Sequence, residues 1–182
     1  MKMTDEQLVK KCLEKDTLAQ KQLFEFYSKR MMGVCLRYSK DRDEAQEVLQ
    51  MGFIKVFEKL TLFNGKGSLE GWIRRVVVNT ALDNIRKNKK FMDNVEMDKV
   101  DFQLQNEDVS GYETMKAQDL LKIIQAMPTG FRTVFNLFAI EGYSHKEIAE
   151  ELNISVNTSK SQYSRARAHL QKILIEEHYV ER

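Results

Sequence analysis

Residues 143–167, which read YSHKEIAEELNISVNTSKSQYSRAR, carry the strongest structural signal in this chain. Ser144 and Glu147 have the spacing of a capping box, in which two side chains satisfy free backbone N–H groups at a helix start. A short helix is therefore predicted here, and Asn153 interrupts it. Its inner face would carry Ile148, Ala149 and Leu152. The stretch predicts two helices separated by a tight turn.

The second helix of this stretch is predicted to present a polar and basic face. Ser155 can cap its first turn. In the first two turns, where a recognition helix meets base edges and phosphates, the polar residues are Asn157, Thr158, Lys160, Ser161 and Gln162. Arg165 and Arg167 follow as candidate phosphate ligands, and residues 155–172 hold four Lys or Arg and no acid. The pattern favours a DNA-binding helix-turn-helix over the alternative, a solvated helical hairpin whose charges contact nothing.

The composition indicates an all-α protein. Of its 182 residues 42% are hydrophobic and 31% charged, and only eight glycines and one proline occur, which favours long helices over hairpin-rich sheet. There is no apolar run of about 18 residues and no apolar signal region at the N-terminus, so we expect a cytoplasmic protein without membrane insertion. Cys12 and Cys35 fall in apolar helical patterns and are expected to be buried free thiols rather than a disulfide or metal pair.

Three helices are predicted in the N-terminal part. Thr4 and Gln7 form another capping box, Asp16 can cap the second helix, and an acidic segment starting at Asp41 opens the third. The second helix has the inward stripe Leu23, Phe24, Tyr27, Met31, Val34, Cys35 and Tyr38. The third has the inner stripe Ala45, Val48, Leu49, Phe53, Val56, Phe57 and Leu60, and the outer residues Glu44, Glu47, Gln50, Lys55 and Glu58. A partner-facing acidic edge is favoured here over a pair of carboxylates for acid–base chemistry.

A glycine-containing loop and a basic helix follow. Residues 63–68 read FNGKGS, in which two glycines permit a tight loop and Ser68 can cap the next helix. That helix can pack Trp72, Ile73, Val76, Val77 and Ala81 inward, and its remaining surface carries Arg74, Arg75, Asn79, Asn84, Arg86 and Lys87. Residues 65–90 hold seven Lys or Arg against two acids, a local charge of +5. Phe63 and Trp72 beside this charge would suit stacking on unpaired bases, although packing is the favoured role of Trp72.

Residues 89–113 differ from the rest of the chain. They hold seven acids against three lysines and lack helical periodicity, which predicts a flexible acidic linker. The linker separates two small helical domains, residues 1–88 and 114–182, and the second ends in the helix-turn-helix. The second domain has Pro128 between two helices and Gly142 at a turn. Its predicted inward residues are Leu120, Leu121, Ile124, Met127, Phe131, Val134, Phe135 and Phe138.

No catalytic or metal-binding constellation is apparent in the sequence. His145, His169 and His178 lack the spacing of a zinc or hydrolytic site, and each is expected to be a lone surface histidine. Residues 64–68 lack the spacing of a phosphate-binding P-loop. We therefore predict no catalytic residue, no metal and no cofactor, which argues against a DNA-processing enzyme.

The order of these features resembles the bacterial RNA polymerase sigma factors of the sigma-70 family, in the extracytoplasmic function (ECF) group. The resemblance covers about residues 16–174. Residues 44–57, EAQEVLQMGFIKVF, are similar to the family's helix that binds the clamp coiled coil of the polymerase largest subunit. This match implies polymerase contacts from Glu44, Glu47, Gln50 and Lys55. Met51 stands where the family often has an acid.

Two further segments resemble the parts of the family that read the promoter's minus-ten element. Residues 63–73, FNGKGSLEGWI, are similar to the loop and helix start that capture a flipped base, whose unstacking costs a few kcal/mol. Residues 74–87, RRVVVNTALDNIRK, resemble the adjoining promoter-reading helix. The resemblance implies minus-ten contacts from Phe63, Asn64, Gly65, Lys66, Trp72, Arg74, Arg75, Asn79, Asn84, Arg86 and Lys87.

The C-terminal part resembles the family's second conserved domain. Residues 127–135, MPTGFRTVF, and the helix-turn-helix match the domain that reads the minus-thirty-five element. The resemblance implies contacts from Ser155, Asn157, Thr158, Lys160, Ser161, Gln162, Arg165 and Arg167. Ser159 and Gln162 replace the valine and arginine that are common in the family.

The resemblance implies a promoter-specificity subunit. Such a subunit binds core RNA polymerase through the clamp coiled coil and the flap, recognises both promoter elements and promotes initiation. Promoter DNA and core polymerase are the implied partners, and an anti-sigma factor or another recruiting factor is a further one. The alternative is a free-standing helix-turn-helix regulator that acts without joining polymerase.

Overall fold

A computed structural model describes residues 3–92 and 117–176, with side chains over residues 3–88 and 119–176. These described residues form helices and no strand, which confirms the all-α prediction. The chain divides into two compact units, Met1–Glu96 and Met97–Arg182, and each is considered by itself. Residues 93–113 of the predicted linker lie outside the described part. Among the described helices, none has the length and apolar character needed to cross a membrane.

The first unit is built from helices whose starts are set by side-chain caps. The helices are α1 (Asp5–Leu13), α2 (Thr17–Tyr38), α3 (Arg42–Lys59) and α4 (Leu69–Met92), with a 3₁₀ turn at Leu60–Leu62. Thr4 closes a capping box with Gln7, and the Asp16 and Asp41 carboxylates accept backbone N–H bonds in the first turns of α2 and α3. The caps at Thr4 and Asp16 agree with the sequence prediction, and Asp41 caps the helix for which only an acidic start was predicted. α4 continues past residue 88, the predicted end of the first domain.

The core of the first unit lies between α2, α3 and α4. Most of the predicted stripes are buried, but Phe24 is 37% exposed and touches buried Phe53 only by its edge, with ring centroids 4.8 Å apart. Phe24 was predicted to face inward with the rest of this stripe, and that prediction holds only in part, because its ring packs on Phe53 and remains partly exposed. At Gly52, an added Cβ would lie 3.2 Å from Val77 Cγ2, so α3 and α4 approach closely at this glycine.

The second unit contains the predicted helix-turn-helix. Its helices are α5 (Ala117–Ala126), α6 (Thr129–Phe135), α7 (His145–Leu152) and α8 (Val156–Glu176), and a π-helical turn, Asn136–Ile140, extends α6. Ser144 and Glu147 form the predicted capping box on α7. Asn153 ends α7 in the left-handed conformation, with φ 53°. Gly142, with φ 79°, makes the turn before the motif.

The core of the second unit differs from the prediction in two ways. Leu120 is exposed, and Ile123 and Leu137 are buried although neither was predicted to be. The sequence reasoning also missed the buried polar residues, which are Arg132, Thr133 and Asn136 on α6 and its extension and Ser159 on α8. Arg132 Nη1 donates to the Gln125 carbonyl at 2.8 Å, near the C-terminus of α5, where a helix favours a positive charge. Local hydrogen bonding therefore replaces apolar packing on this side of α6.

Candidate nucleic-acid and partner interfaces

The exposed face of α3 has an apolar centre bordered by acids. Met51 is 47% and Ile54 is 51% exposed, and both lie on the same side of the helix as exposed Glu47 and Glu58, because these residues follow three- and four-residue steps. Exposed Gln50 adjoins them. We call residues Glu47, Gln50, Met51, Ile54 and Glu58 the α3 stripe. An apolar pair with acidic neighbours is suited to a partner helix that carries apolar and basic side chains.

Two of the four residues predicted to contact polymerase form hydrogen bonds with α4. Glu44 Oε1 accepts hydrogen bonds from the side-chain amides of Asn84 and Asn88, at 2.8 and 3.1 Å, and its Oε2 accepts from the Lys40 backbone at 2.7 Å. Lys55 Nζ donates to Asp83 Oδ2 at 2.8 Å. Glu47 and Gln50 lie on the α3 stripe, and Glu44 and Lys55 join α3 to α4.

The Lys55–Asp83 pair makes the α3–α4 contact sensitive to acid. Burial by itself raises the pKa of Asp83, but the Lys55 hydrogen bond and charge, with Arg86, outweigh it and lower the pKa below its ordinary value. Because the folded-state pKa lies below the unfolded-state value, the carboxylate stabilises the fold at higher pH. That contribution is lost as the pH falls through the lowered pKa.

We expect Asp83→Asn to reduce the acid sensitivity of the fold. The free energy of unfolding of the wild-type protein should fall more steeply below about pH 4 than that of the variant, because the variant has no carboxylate to protonate. Urea titrations between about pH 6 and pH 2.5 measure this difference. Glu58→Gln, which removes an exposed carboxylate from the α3 stripe, is the matched control and should keep the wild-type profile. Parallel curves for wild type and Asp83→Asn would contradict the assignment.

The loop before α4 is held in a compact conformation. Gly65 and Gly67 have φ 73° and 88°, a region that residues with side chains rarely adopt. Asn64 Oδ1 accepts from the Lys66 backbone N–H at 3.0 Å, and Ser68 Oγ accepts from the Gly71 N–H at 3.0 Å. Both side chains thus accept hydrogen bonds from nearby backbone N–H groups, as predicted for Ser68.

Two aromatic side chains meet where this loop joins α4. The Phe63 and Trp72 ring centroids are 5.8 Å apart, with an angle of 55° between planes, and both side chains are half-buried. The favoured packing role predicted that Trp72 lies in the core. The side chain is instead partly buried and partly exposed. A partly open aromatic pair of this kind can receive a base by stacking.

The remaining predicted minus-ten residues differ in accessibility. Arg75, Asn79, Arg86 and Lys87 are exposed on α4, and Arg74 is half-buried. Arg86 Nη1 also pairs with Asp83 Oδ1 at 2.7 Å. Asn84 donates its amide to Glu44, so α3 already occupies one of its hydrogen-bonding groups. α4 therefore presents a basic outer surface, and Asn84 contributes to the contact beneath it.

The start of α8 is capped as predicted, and its outer face is polar. Ser155 Oγ accepts from the Thr158 N–H at 2.9 Å and lies 2.8 Å from Thr158 Oγ1, so these two hydroxyls are engaged with each other. The exposed residues among those predicted to meet DNA are Ser155, Asn157, Lys160, Ser161, Arg165 and Arg167. Exposed Ser164 lies on the same face and was not predicted.

Gln162 lies on the inner side of α8. Its side-chain Oε1 would be 3.2 Å from a Cβ added at Gly130, and this oxygen is buried with no hydrogen-bond partner among the described residues. Gly130 is in the first turn of α6. The glycine therefore makes room for the glutamine side chain, which packs between two helices in addition to any role toward DNA.

The histidines of the second unit are not lone surface residues. His145 is half-buried and stacks on Phe138, with ring centroids 4.2 Å apart. His169 is half-buried, and burial followed by the Lys172 charge lowers its pKa. The surface prediction was wrong for both: His145 packs against Phe138 and Tyr163, and His169 is partly buried. His178 lies outside the described residues.

The comparisons with known proteins follow the division into two units. The model of sigma-70 region 2 matches residues 23–91, which include α3, the loop and most of α4. The model of sigma-70 region 4 matches residues 117–170, from α5 into α8. Together they cover the larger part of the chain. The chain belongs to the sigma-70 family of RNA polymerase sigma factors.

Similar proteins cover almost the whole chain of this sigma factor. The RNA polymerase sigma-H factor of Pseudomonas aeruginosa is 29% identical over 180 residues, 93% of each chain. The ECF RNA polymerase sigma-E factor of Haemophilus influenzae is 28% identical over 175 residues, covering 91% of this chain and 92% of that protein. The Bartonella quintana sigma factor RpoE, solved in complex with the anti-sigma factor NepR, has a TM-score of 0.54 and 23% identity, over 89% of this chain and 98% of that one. This likeness supports the fold.

The family assignment carries the general function. The chain is a promoter-specificity subunit of RNA polymerase, and the free-standing regulator is not favoured. The sequence identified these two matched regions correctly. The sequence reasoning did not identify the exposed apolar pair Met51 and Ile54, although both lie at helical spacing from Glu47 and so on the same face of α3. It also did not identify Asn88, because nothing in the sequence indicates that this side chain bonds to α3.

Proposed function

We propose that the α3 stripe is the surface that binds core RNA polymerase, at the clamp coiled coil of its largest subunit. The observation that carries this proposal is the exposed pair Met51 and Ile54 between Glu47 and Glu58. Burial of two such side chains contributes a few kcal/mol at about 25 cal/mol per Å². The acidic side chains attract a basic partner surface, which speeds association and fixes how the two surfaces align. Glu44 and Lys55 act indirectly, by holding α3 against α4.

We further propose that the loop of residues 63–68 and Trp72 capture an unstacked base of the minus-ten element. The half-open Phe63–Trp72 pair supports stacking, and the ordered turn from Asn64 to Ser68 supports a preformed site. A preformed site helps because the cost of flipping a base has to be offset by contacts made after it leaves the duplex. Exposed basic residues of α4 then bind the neighbouring phosphates.

In the second unit, α8 is proposed to read the minus-thirty-five element. Its outer face combines groups that hydrogen-bond base edges, such as Asn157, Lys160 and Ser161, with two exposed arginines. This division between base contacts and phosphate contacts is typical of a recognition helix. The two modules, residues 1–88 and 114–182, would hold one promoter across the linker of residues 89–113.

We expect Arg165→Ala and Arg167→Ala each to reduce the salt dependence of binding to upstream DNA. The slope of log K against log salt should become shallower by about 0.9 for each phosphate that the variant no longer binds. Titrations of the reconstituted holoenzyme on a minus-thirty-five duplex, at several salt concentrations, measure the slope. Lys10→Ala, in the last turn of α1, removes one exposed positive charge from the other unit and is the control. A slope unaltered by either arginine variant would exclude that residue as a phosphate ligand.

The protein is proposed to have no catalytic activity of its own and to act in the cytoplasm with the polymerase, which supplies the chemistry of RNA synthesis. Sigma factors are transcription initiation factors, which supports this role. An anti-sigma factor is proposed as a second partner, supported by the complex of Bartonella quintana RpoE with NepR.

Reconstitution tests the proposed function directly. The full-length protein is mixed with core polymerase, and co-purification and promoter-specific transcripts are measured on genomic fragments. We expect a stable complex and initiation at defined sites that core polymerase alone does not use. Specific DNA binding without core polymerase and without any complex would support the free-standing regulator instead.

A further inference from the structure

The recognition helix departs from the family pattern at two positions, and both face inward. Ser159 replaces the family's common valine and is 0% exposed. Gln162 replaces a common arginine and packs on Gly130 of α6. Neither substitution falls on the face formed by Asn157, Lys160 and Ser161. These departures therefore act directly on the packing of α8 against the other helices of the second unit. They act only indirectly on which bases α8 contacts.

The hydroxyl of Ser159 is joined to α7 by a histidine. His145 Nδ1 lies 2.9 Å from Ser159 Oγ, within hydrogen-bond distance. His145 is the first residue of α7, next to the Ser144 cap, and Ser159 is in the first turn of α8. The bond therefore links the starts of the two helices of the helix-turn-helix.

An aromatic cluster holds the imidazole in place for this bond. The His145 ring stacks on Phe138 with an angle of 13° between planes, and Phe138 also contacts Tyr163, with ring centroids 4.5 Å apart. The Tyr163 ring lies 5.9 Å from the imidazole. Because the imidazole of His145 is packed between the π-helical extension of α6 and α8, its Nδ1 atom stays close to Ser159 Oγ. A buried hydroxyl without a partner is disfavoured, so the histidine and the serine require each other.

We propose that His145 and Ser159 are positioning residues for promoter recognition, whose hydrogen bond sets the register of α8 on α7. Lys160 and Ser161, which follow Ser159 directly, take their positions on the outer face from that register. Base contacts depend on distances that a small shift of the helix would break. The inference rests on the proposed reading role of α8.

The test uses holoenzyme reconstituted from core polymerase and the full-length protein. A pool of DNA duplexes with a randomised block is enriched separately on holoenzymes that contain wild type, Ser159→Val and the double variant His145→Phe/Ser159→Val, and the duplex that wild type selects is called the enriched duplex. The affinity for the enriched duplex relative to a scrambled duplex is then measured for wild type, Ser159→Ala, Ser159→Val, His145→Phe and the double variant His145→Phe/Ser159→Val. Circular dichroism and thermal melting establish that each variant is folded, and Ser159→Ala removes only the hydroxyl.

We expect each single variant to lose about ten-fold in this affinity ratio, equivalent to about one base contact. The double variant should recover to within about two-fold of wild type, because replacing both partners with apolar groups leaves no unpaired polar atom. The salt dependence should stay unchanged in all variants, since the phosphate contacts remain.

Three results would overturn the positioning role. The single variants could keep the wild-type ratio, their effects could add in the double variant, or Ser159→Val could enrich a different sequence that the double variant also prefers. The last result would mean that residue 159 reads bases directly. If the wild-type holoenzyme enriches no sequence at all, the proposed DNA-reading function itself fails, which distinguishes that failure from a failure of the positioning role.

Discussion

Replacing Glu47 with lysine is expected to lower the affinity of the protein for core RNA polymerase by about ten-fold or more. The reversed charge would face the basic partner surface that the acidic border of the α3 stripe implies, and like charges brought together at an interface cost several kcal/mol. Glu47 is exposed on the outer side of α3, so the fold should persist. The affinity can be measured by competition against the wild-type protein for a limiting amount of core polymerase.

Glu25→Lys provides the matched control for this experiment. Glu25 is an exposed acid of α2 whose partner is Lys21, at 3.8 Å and one helical turn away. Removing such a surface pair changes stability by about 0.3–0.5 kcal/mol. The control should therefore bind core polymerase like wild type. Equal affinities for Glu47→Lys and Glu25→Lys would refute the assignment of the α3 stripe to polymerase.

Replacing Phe63 with alanine should slow promoter opening by about ten-fold. The stacking of a base on an aromatic side chain is worth about 1–3 kcal/mol, and the Phe63–Trp72 pair would lose one of its two rings. Open-complex formation by the reconstituted holoenzyme, followed with a fluorescent base in the minus-ten element, measures the rate. A promoter with a pre-opened minus-ten bubble should rescue the variant in part, because the duplex no longer has to be melted.

Leu62→Ala is the control for the loop. Leu62 precedes Phe63 in the chain and is 68% exposed, so its truncation removes a neighbouring apolar side chain without removing a stacking surface. Holoenzyme that contains this variant should open the promoter at nearly the wild-type rate. If both variants open the promoter at the same rate, base capture does not depend on the aromatic pair.

Helix starts could be predicted to the residue because capping is a local interaction. The predicted caps Thr4, Asp16 and Ser144 each accept a backbone N–H from the first turn that follows, so the neighbouring residues alone specify the geometry. The turn at Asn153 was predictable for the same reason. The resemblance of the segments around α3, α4 and α8 to sigma factors likewise depended on short, ordered motifs.

The accessibility of polar residues could not be predicted in the same way. Glu44 and Glu47 both fall outside the apolar stripe of α3, yet Glu44 bonds to α4 and Glu47 is exposed. The side chains that bind Glu44 belong to Asn84 and Asn88, which come forty or more positions later. Periodicity identifies the buried side of a helix, but it carries no information about which distant helix borders each edge.

Patterns within a few turns of chain were enough to specify the helical class, the caps, the helix-turn-helix and the family of this protein. The packing of the helices was needed to establish that Met51 and Ile54 form an exposed apolar pair, that Asn84 and Lys55 join α3 to α4, and that Ser159 and Gln162 point inward. The difference arises because burial depends on elements that are distant in sequence, whereas the start and end of a helix depend on neighbouring residues.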